Sequence, residues 1–168
     1  MARSSLTRHT QREQFRVVLC GSMSVYPCIL EQQLALQERD VRAIVPVRED
    51  TVASRLNPDE FEAFKRQVGR QYLTKIRDVR TMAVLAVNCD RYNIPDYIGP
   101  NTFAEIAVAF AQGKRIFLLQ AIPEIYRDEL QAWEAVPLQG RMDALIEAYH
   151  AYCKRAQGQA KQLMLFGR

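Results

Sequence analysis

Histidine is almost absent. Only His9 and His150 occur in 168 residues, and they stand alone, so a histidine-built metal site or a hydrolytic triad is not expected. Cysteine is sparse too. Cys20, Cys28, Cys89 and Cys153 are scattered, lack the paired spacing of a zinc site, and three of them fall in apolar runs. That usage suits reduced, mostly buried thiols in a cytoplasmic protein. No apolar run approaches membrane-spanning length, and the N-terminal segment lacks the apolar core of a secretory signal. The glycine pattern G-x-G-x-x-G and a P-loop lysine are both missing, which removes the two commonest dinucleotide and triphosphate signatures. There is no internal repeat and no sign of a second domain.

What is present suits one compact domain. Hydrophobic residues make up 48% and charged residues 25%, enough apolar material for a core in an ordinary soluble chain. The net charge is +4 and the pI about 9.0. Part of that excess sits in "ARSSLTRHTQREQFR", a polar, aperiodic stretch. The expected organisation is a disordered leader over 1–14, one domain over 15–157, and a tail over 158–168. The mild basic charge permits nucleic-acid contact, but no aromatic-basic stripe argues for it.

Short β-branched runs alternate with helical patterns. "FRVVLC" (15–20), "VRAIVPV" (41–47), "MAVLAVN" (82–88) and "RIFLLQ" (115–120) read as strands, with "AVPLQG" (135–140) as a short fifth. Between them lie the helix patterns "VYPCILEQQLALQERD" and "NPDEFEAFKRQVGRQYLTKIRDVRT", the latter capped by Asn57 or Asp59. A further helix carries Glu105, and "RMDALIEAYHAYCKRAQ" closes the domain. The alternation predicts a mostly parallel five-stranded sheet covered on both faces. Ligands of such sheets bind outside the carboxyl ends of the strands.

Two loops fall at that edge. "CGSM" follows the first strand: Gly21 lets a ligand approach the backbone, and Ser22 and Met23 lead into a helix. The loop "CDRYNIPDYIGPN" follows the third strand. Asn88 ends that strand, Asp90 and Asp96 are acids, and Tyr92 and Tyr97 can stack on a base or sugar. Gly99, Asn101 and Thr102 lead into the helix "TFAEIAVAFA". Glu105 is the lone acid of that apolar helix, and it has two readings. With Thr102 it has the spacing of a capping box, or it is a catalytic carboxylate in a cleft.

"VVLCGSM", "VLAVN" and above all "YIGPNTFAEIAVAFAQGKRIFLL" together resemble the nucleoside 2-deoxyribosyltransferase-like superfamily. The resemblance covers about residues 15–145. It implies a flavodoxin-like α/β/α sandwich, usually assembled as a homodimer or larger homo-oligomer, with no cofactor. It also implies cleavage or transfer of the N-glycosidic bond of a deoxynucleoside or its 5′-monophosphate. In that scheme Glu105 attacks the anomeric carbon, Gly21 and Ser22 contact the nucleotide, and Asn101 and Thr102 form the turn before the nucleophile. The sequence departs from the family pattern in four places. The acidic residue often found shortly before the nucleophile is replaced by the Gly99 region. The aspartate that serves the departing base falls near Thr74 or Lys75, with Asp78 as the nearest acid. Ala107 stands where glycine is usual two residues after the glutamate, and Pro100 occupies another common glycine position. A non-catalytic nucleotide-binding module is the alternative.

The tail "QLMLF" resembles the peptide by which bacterial replication and repair proteins dock on the sliding clamp, through Gln162, Leu163, Leu165 and Phe166. Packing on its own core or on a neighbouring subunit is the other reading. Residues 103–111 show no polar face except Glu105, which predicts a homo-oligomer with this helix near the interface.

Overall fold

The structure is a computed structural model and describes residues 15–48 and 54–166. The expected leader over 1–14 lies outside them. Five strands alternate with helices: β1 (Arg16–Cys20), β2 (Ala43–Ile44), β3 (Thr81–Ala86), β4 (Arg115–Leu118) and β5 (Val136–Pro137). The helices are α1 (Tyr26–Gln37), α2 (Pro58–Arg77), α3 (Pro100–Ala111), α4 (Arg127–Ala132) and α5 (Asp143–Phe166). The sheet order is β2-β1-β3-β4-β5, and every pairing is parallel. This is the flavodoxin-like order, with a switch of direction between β1 and β3.

β1 and β3 are buried along their whole length, as strands covered on both faces must be. Their side chains alternate between two cores. Val17 and Leu19 join Ile29 and Leu36 of α1 and Leu145, Tyr149 and Cys153 of α5. Val18 and Cys20 join Tyr72 and Ile76 of α2, Ile106 and Ala109 of α3, and Leu130 of α4. The edge strands are short. β2 ends at Ile44 rather than running to Val47, because Pro46 has no N–H to give to a ladder. Pro137 sits on the other edge strand, where that loss is tolerated.

α2 begins with a full capping box. The Asn57 side chain accepts from the Glu60 N–H, and the Glu60 carboxylate accepts from the Asn57 N–H. Only its C-terminal half is anchored in the core, and Phe61 remains 40% exposed. The short helix α4 has no counterpart among the sequence expectations, since one buried residue, Leu130, leaves no period to read. α5 continues through Phe166, so residues 158–166 of the expected tail are helical. The side chains of Leu163, Leu165 and Phe166 lie outside the described residues.

The all-round apolarity of α3 has an explanation within the chain. Thr102, Ile106 and Ala109 face the sheet. On the outer side Phe103 stacks on Tyr126 at 4.1 Å and on Trp133 at 5.3 Å, and Phe110 stacks on Trp133 at 5.1 Å. Each such pair is worth about 0.5–1.5 kcal/mol beyond burial. Among the described residues, no helix is long and apolar enough to cross a membrane.

Candidate active site

The decisive detail is where α3 starts. Its N-cap is Gly99, and Pro100 takes the first helical position, for which its fixed φ and missing N–H are suited. Thr102 is thus already the third helical residue and is buried. Glu105 falls in the second turn, too far inside to satisfy free N–H groups. The capping-box reading is therefore excluded by geometry. The Tyr97 ring lies over Gly99: a Cβ added there would sit 3.1 Å from the Tyr97 hydroxyl.

Glu105 instead reaches the carboxyl end of β1. Its carboxyl accepts a hydrogen bond from the Cys20 thiol. Burial pushes its pKa from 4.5 up to about 7, only partly opposed by that bond. Burial, then the neighbouring Glu105, hold the Cys20 thiol well above its usual range. Burial, then Cys20, Glu105 and Tyr26 in that order, raise the Tyr72 hydroxyl, which donates to the Leu19 carbonyl. The two titratable groups coupled to the glutamate, Cys20 and Tyr72, thus stay protonated and neutral. A carboxylate formed there has lost much of its water without gaining a cation among the described residues. Cys20 and Tyr72 carried no sequence signal: a cysteine ending a strand and a tyrosine at helical spacing both read as core.

The two expected loops do meet at this edge. Ser22 caps a 3-10 turn over Met23–Val25, and its hydroxyl shares a 2.9 Å hydrogen bond with that of Ser24. Gly21 is tightly enclosed, since a Cβ would lie 2.9 Å from Ile29 Cδ1 and 3.3 Å from the Val87 carbonyl. Met23 is 40% exposed. In the second loop, Arg91 and Ile94 exchange backbone hydrogen bonds of 3.0 and 2.8 Å across Tyr92 and Asn93, whose φ values are 51° and 60°. That is a two-residue hairpin with the twist of a type I′ turn. Asp90 accepts from the Asp96 N–H at 3.0 Å and closes the loop behind it.

Asn88 has a different task from the one its position suggested. It is buried. Its carbonyl accepts from the Gln120 N–H at 2.9 Å, and its amide donates to the carbonyls of Ala121 at 2.8 Å and Asp96 at 3.5 Å. Those contacts occupy both ends of its amide in tying the loop after β3 to the loop after β4, which makes it a positioning residue.

Asp78 is a correction. It caps the C-terminus of α2, just before β3, at the amino edge of the sheet. It bonds Arg80 through two guanidinium contacts of 3.0 and 2.6 Å and pairs with Arg16 at 2.9 Å. Arg16 opens β1 and Cys20 ends it, a separation of roughly 13 Å at strand rise. The Arg80 bonds, with Arg16 assisting, hold the Asp78 carboxyl far below the usual carboxylate range. It is neither near Glu105 nor able to keep a proton to give, so it cannot protonate a departing base.

The cysteines also differ from expectation. Cys28, in the first turn of α1, and Cys89, which opens the loop after β3, are 61 residues apart and are paired as a disulfide. Cys20 and Cys153 are buried and lie outside that disulfide.

The chain matches no family model, no curated protein and no solved structure. Its own geometry carries the functional reading. Among the described residues no group of three or more His, Cys, Asp or Glu side chains is placed to hold a metal ion. A cavity of about 430 Å³ lined by Phe110, Gly113, Lys114, Trp133, Glu134 and Val136 lies where β4 begins, away from Glu105.

Proposed function

We propose that this chain cleaves or transfers the N-glycosidic bond of a deoxynucleoside or its 5′-monophosphate through a covalent sugar–Glu105 ester. The observation that carries the reading is the desolvated, cation-free Glu105 carboxyl at the carboxyl edge of a parallel sheet. The sequence resemblance over residues 15–145 supports the same choice.

The chemistry follows from the environment. A carboxylate without a local cation stabilises positive charge that develops opposite it, and the anomeric carbon of a departing nucleoside acquires such charge. The ionised Glu105 oxygen bonds to C1′ as the C1′–N bond breaks. The bonding pair leaves with the base, whose nitrogen takes a proton from solvent water. Water, or the nitrogen of a second base, then attacks C1′ and releases the carboxylate, its own proton passing to solvent. A pKa near 7 leaves about half of the glutamates ionised at neutral pH.

A panel of deoxynucleosides and their 5′-monophosphates, assayed for free base, tests this. Base release by the wild type, its loss in Glu105→Gln, and a peptide containing Glu105 heavier by one deoxyribosyl group are the expected results. Unchanged turnover in Glu105→Gln would reject the mechanism.

A second reading, a nucleotide-binding module without turnover, is favoured by one observation: Asp78 is held at the wrong edge, which leaves the departing base without the acid expected for it. Saturable nucleotide binding with no product after prolonged incubation would select this reading.

A further inference from the structure

Arg91 is a cation at the ligand edge without a carboxylate partner among the described residues. Its guanidinium donates to the Ser22 hydroxyl at 2.6 Å and to the Tyr92 hydroxyl at 2.5 Å. The group lies over the Tyr92 ring at 4.2 Å and beside the Tyr97 ring at 5.3 Å. Its Nε is buried and has no hydrogen-bond partner. A structural arginine ordinarily spends its fork on a carboxylate or on backbone carbonyls. Arg91 spends it on two hydroxyls, which are neutral and can exchange this donor for another. Asp90, next in the chain, is occupied with the Asp96 N–H.

The position matters as much as the valence. Ser22 is two residues beyond Cys20, and Cys20 touches Glu105, so the chain limits that step to roughly 7 Å. A ligand with its anomeric carbon at Glu105 can therefore present a second group to the Ser22–Arg91 pair. The hairpin aims Arg91 across the mouth from β3 to the β1 loop, while the two tyrosine rings hold the plane of the guanidinium by cation–π contact. A planar, pre-oriented fork beside a hydroxyl suits a tetrahedral dianion.

We infer that Arg91 is the anion-recognising residue of this edge, holding the phosphate monoester of a 5′-nucleotide between its guanidinium and the Ser22 hydroxyl. This rests on the nucleotide reading of the Glu105 site and deepens it by naming phosphorylated over unphosphorylated ligands. On binding, the phosphate oxygens take the N–H donors that Ser22 and Tyr92 now accept.

Calorimetric titration tests it with the four deoxynucleoside 5′-monophosphates, the four deoxynucleosides and inorganic phosphate. The proteins are wild type, Arg91→Ala and Arg91→Lys, each shown to melt cooperatively. Charge-assisted bonds of this kind predict a wild-type preference for the phosphorylated form of about 10- to 100-fold. Arg91→Ala should remove that preference while changing deoxynucleoside affinity by less than about threefold. Arg91→Lys, which keeps the charge and loses the fork, should fall between. If Arg91→Ala keeps the preference, or the wild type shows none, the assignment fails and the nucleotide reading stands. If the wild type binds no nucleoside or nucleotide but binds inorganic phosphate through Arg91, the anion site stands and the nucleotide reading fails. If it binds none of the three, both fail.

Discussion

Replacing Glu105 by glutamine should stabilise the protein in alkaline buffer and leave its stability nearly unchanged in acid. The carboxyl titrates near 7 in the folded chain against 4.5 ordinarily. Below 4.5 it is neutral whether folded or unfolded, and nothing is lost. As pH rises from 4.5 through 7, the unfolded chain releases the proton first, so folding must carry a growing penalty for keeping it. Above 7 the penalty is complete and constant. A displacement of this size corresponds to about 3 kcal/mol, and because the side chain is half-buried rather than sealed, about 2–3 kcal/mol is the expected range. Glutamine has the same shape and never ionises. For a domain of this size the variant should melt roughly 5–10 °C higher at pH 8.5, with little difference at pH 4.5. Differential scanning calorimetry of both proteins at the two pH values measures it. Cys20 and Tyr72, also coupled to Glu105, have pKa values raised well above their ordinary 9.0 and 10.0 and stay out of this window. An equal difference in Tm at both pH values, or a loss of stability at pH 8.5, would refute the claim that Glu105 is a desolvated carboxyl.

Three further outcomes are expected. Asp78→Asn should lower stability at pH 7 by about 1–3 kcal/mol in urea, because Arg16, whose side chain is only 10% exposed, loses its carboxylate, yet base release should keep its kcat. The wild-type advantage should vanish as pH falls below the ordinary carboxylate range, since the folded pKa is depressed and the pair disappears on protonation. Gly21→Val should cost about 1–3 kcal/mol in a denaturant midpoint, as its branches meet Ile29 and the Val87 carbonyl, while Gly21→Ala should cost less because the Ile29 end can rotate. The docking reading of the tail predicts capture of the full chain by purified sliding clamp and loss of capture on deleting residues 162–168; no capture of the full chain, or unchanged capture of the shortened one, would reject it.

Much of the fold was legible because β1, β3 and β4 are short runs, apolar after their first residue, between helical periods. The strand order was not, because pairing such as Val17 with Ala83 joins residues far apart in sequence without a local mark. Glu105 is singled out in the sequence by its place after the third strand and by the family resemblance. The capping-box spacing misled because Pro100 fixes the helix start two residues before Thr102. The error over Asp78 came from chain distance: it precedes β3, and a strand's length separates it from the edge that β3 ends on. Arg91 went unnoticed for a similar reason. Its aim depends on a hairpin in which Tyr92 and Asn93 both take positive φ, a conformation neither residue announces as glycine would.

The buried amide of Asn88 has a consequence for engineering. It acts as a rivet through two loops at once, bonded to the backbone at Asp96, Gln120 and Ala121. Grafting residues 89–98 from another protein to change ligand preference would break into a unit that includes 120–121. The transplantable module at this edge is the loop pair together with its rivet, and libraries that vary one loop alone will mostly sample distorted mouths.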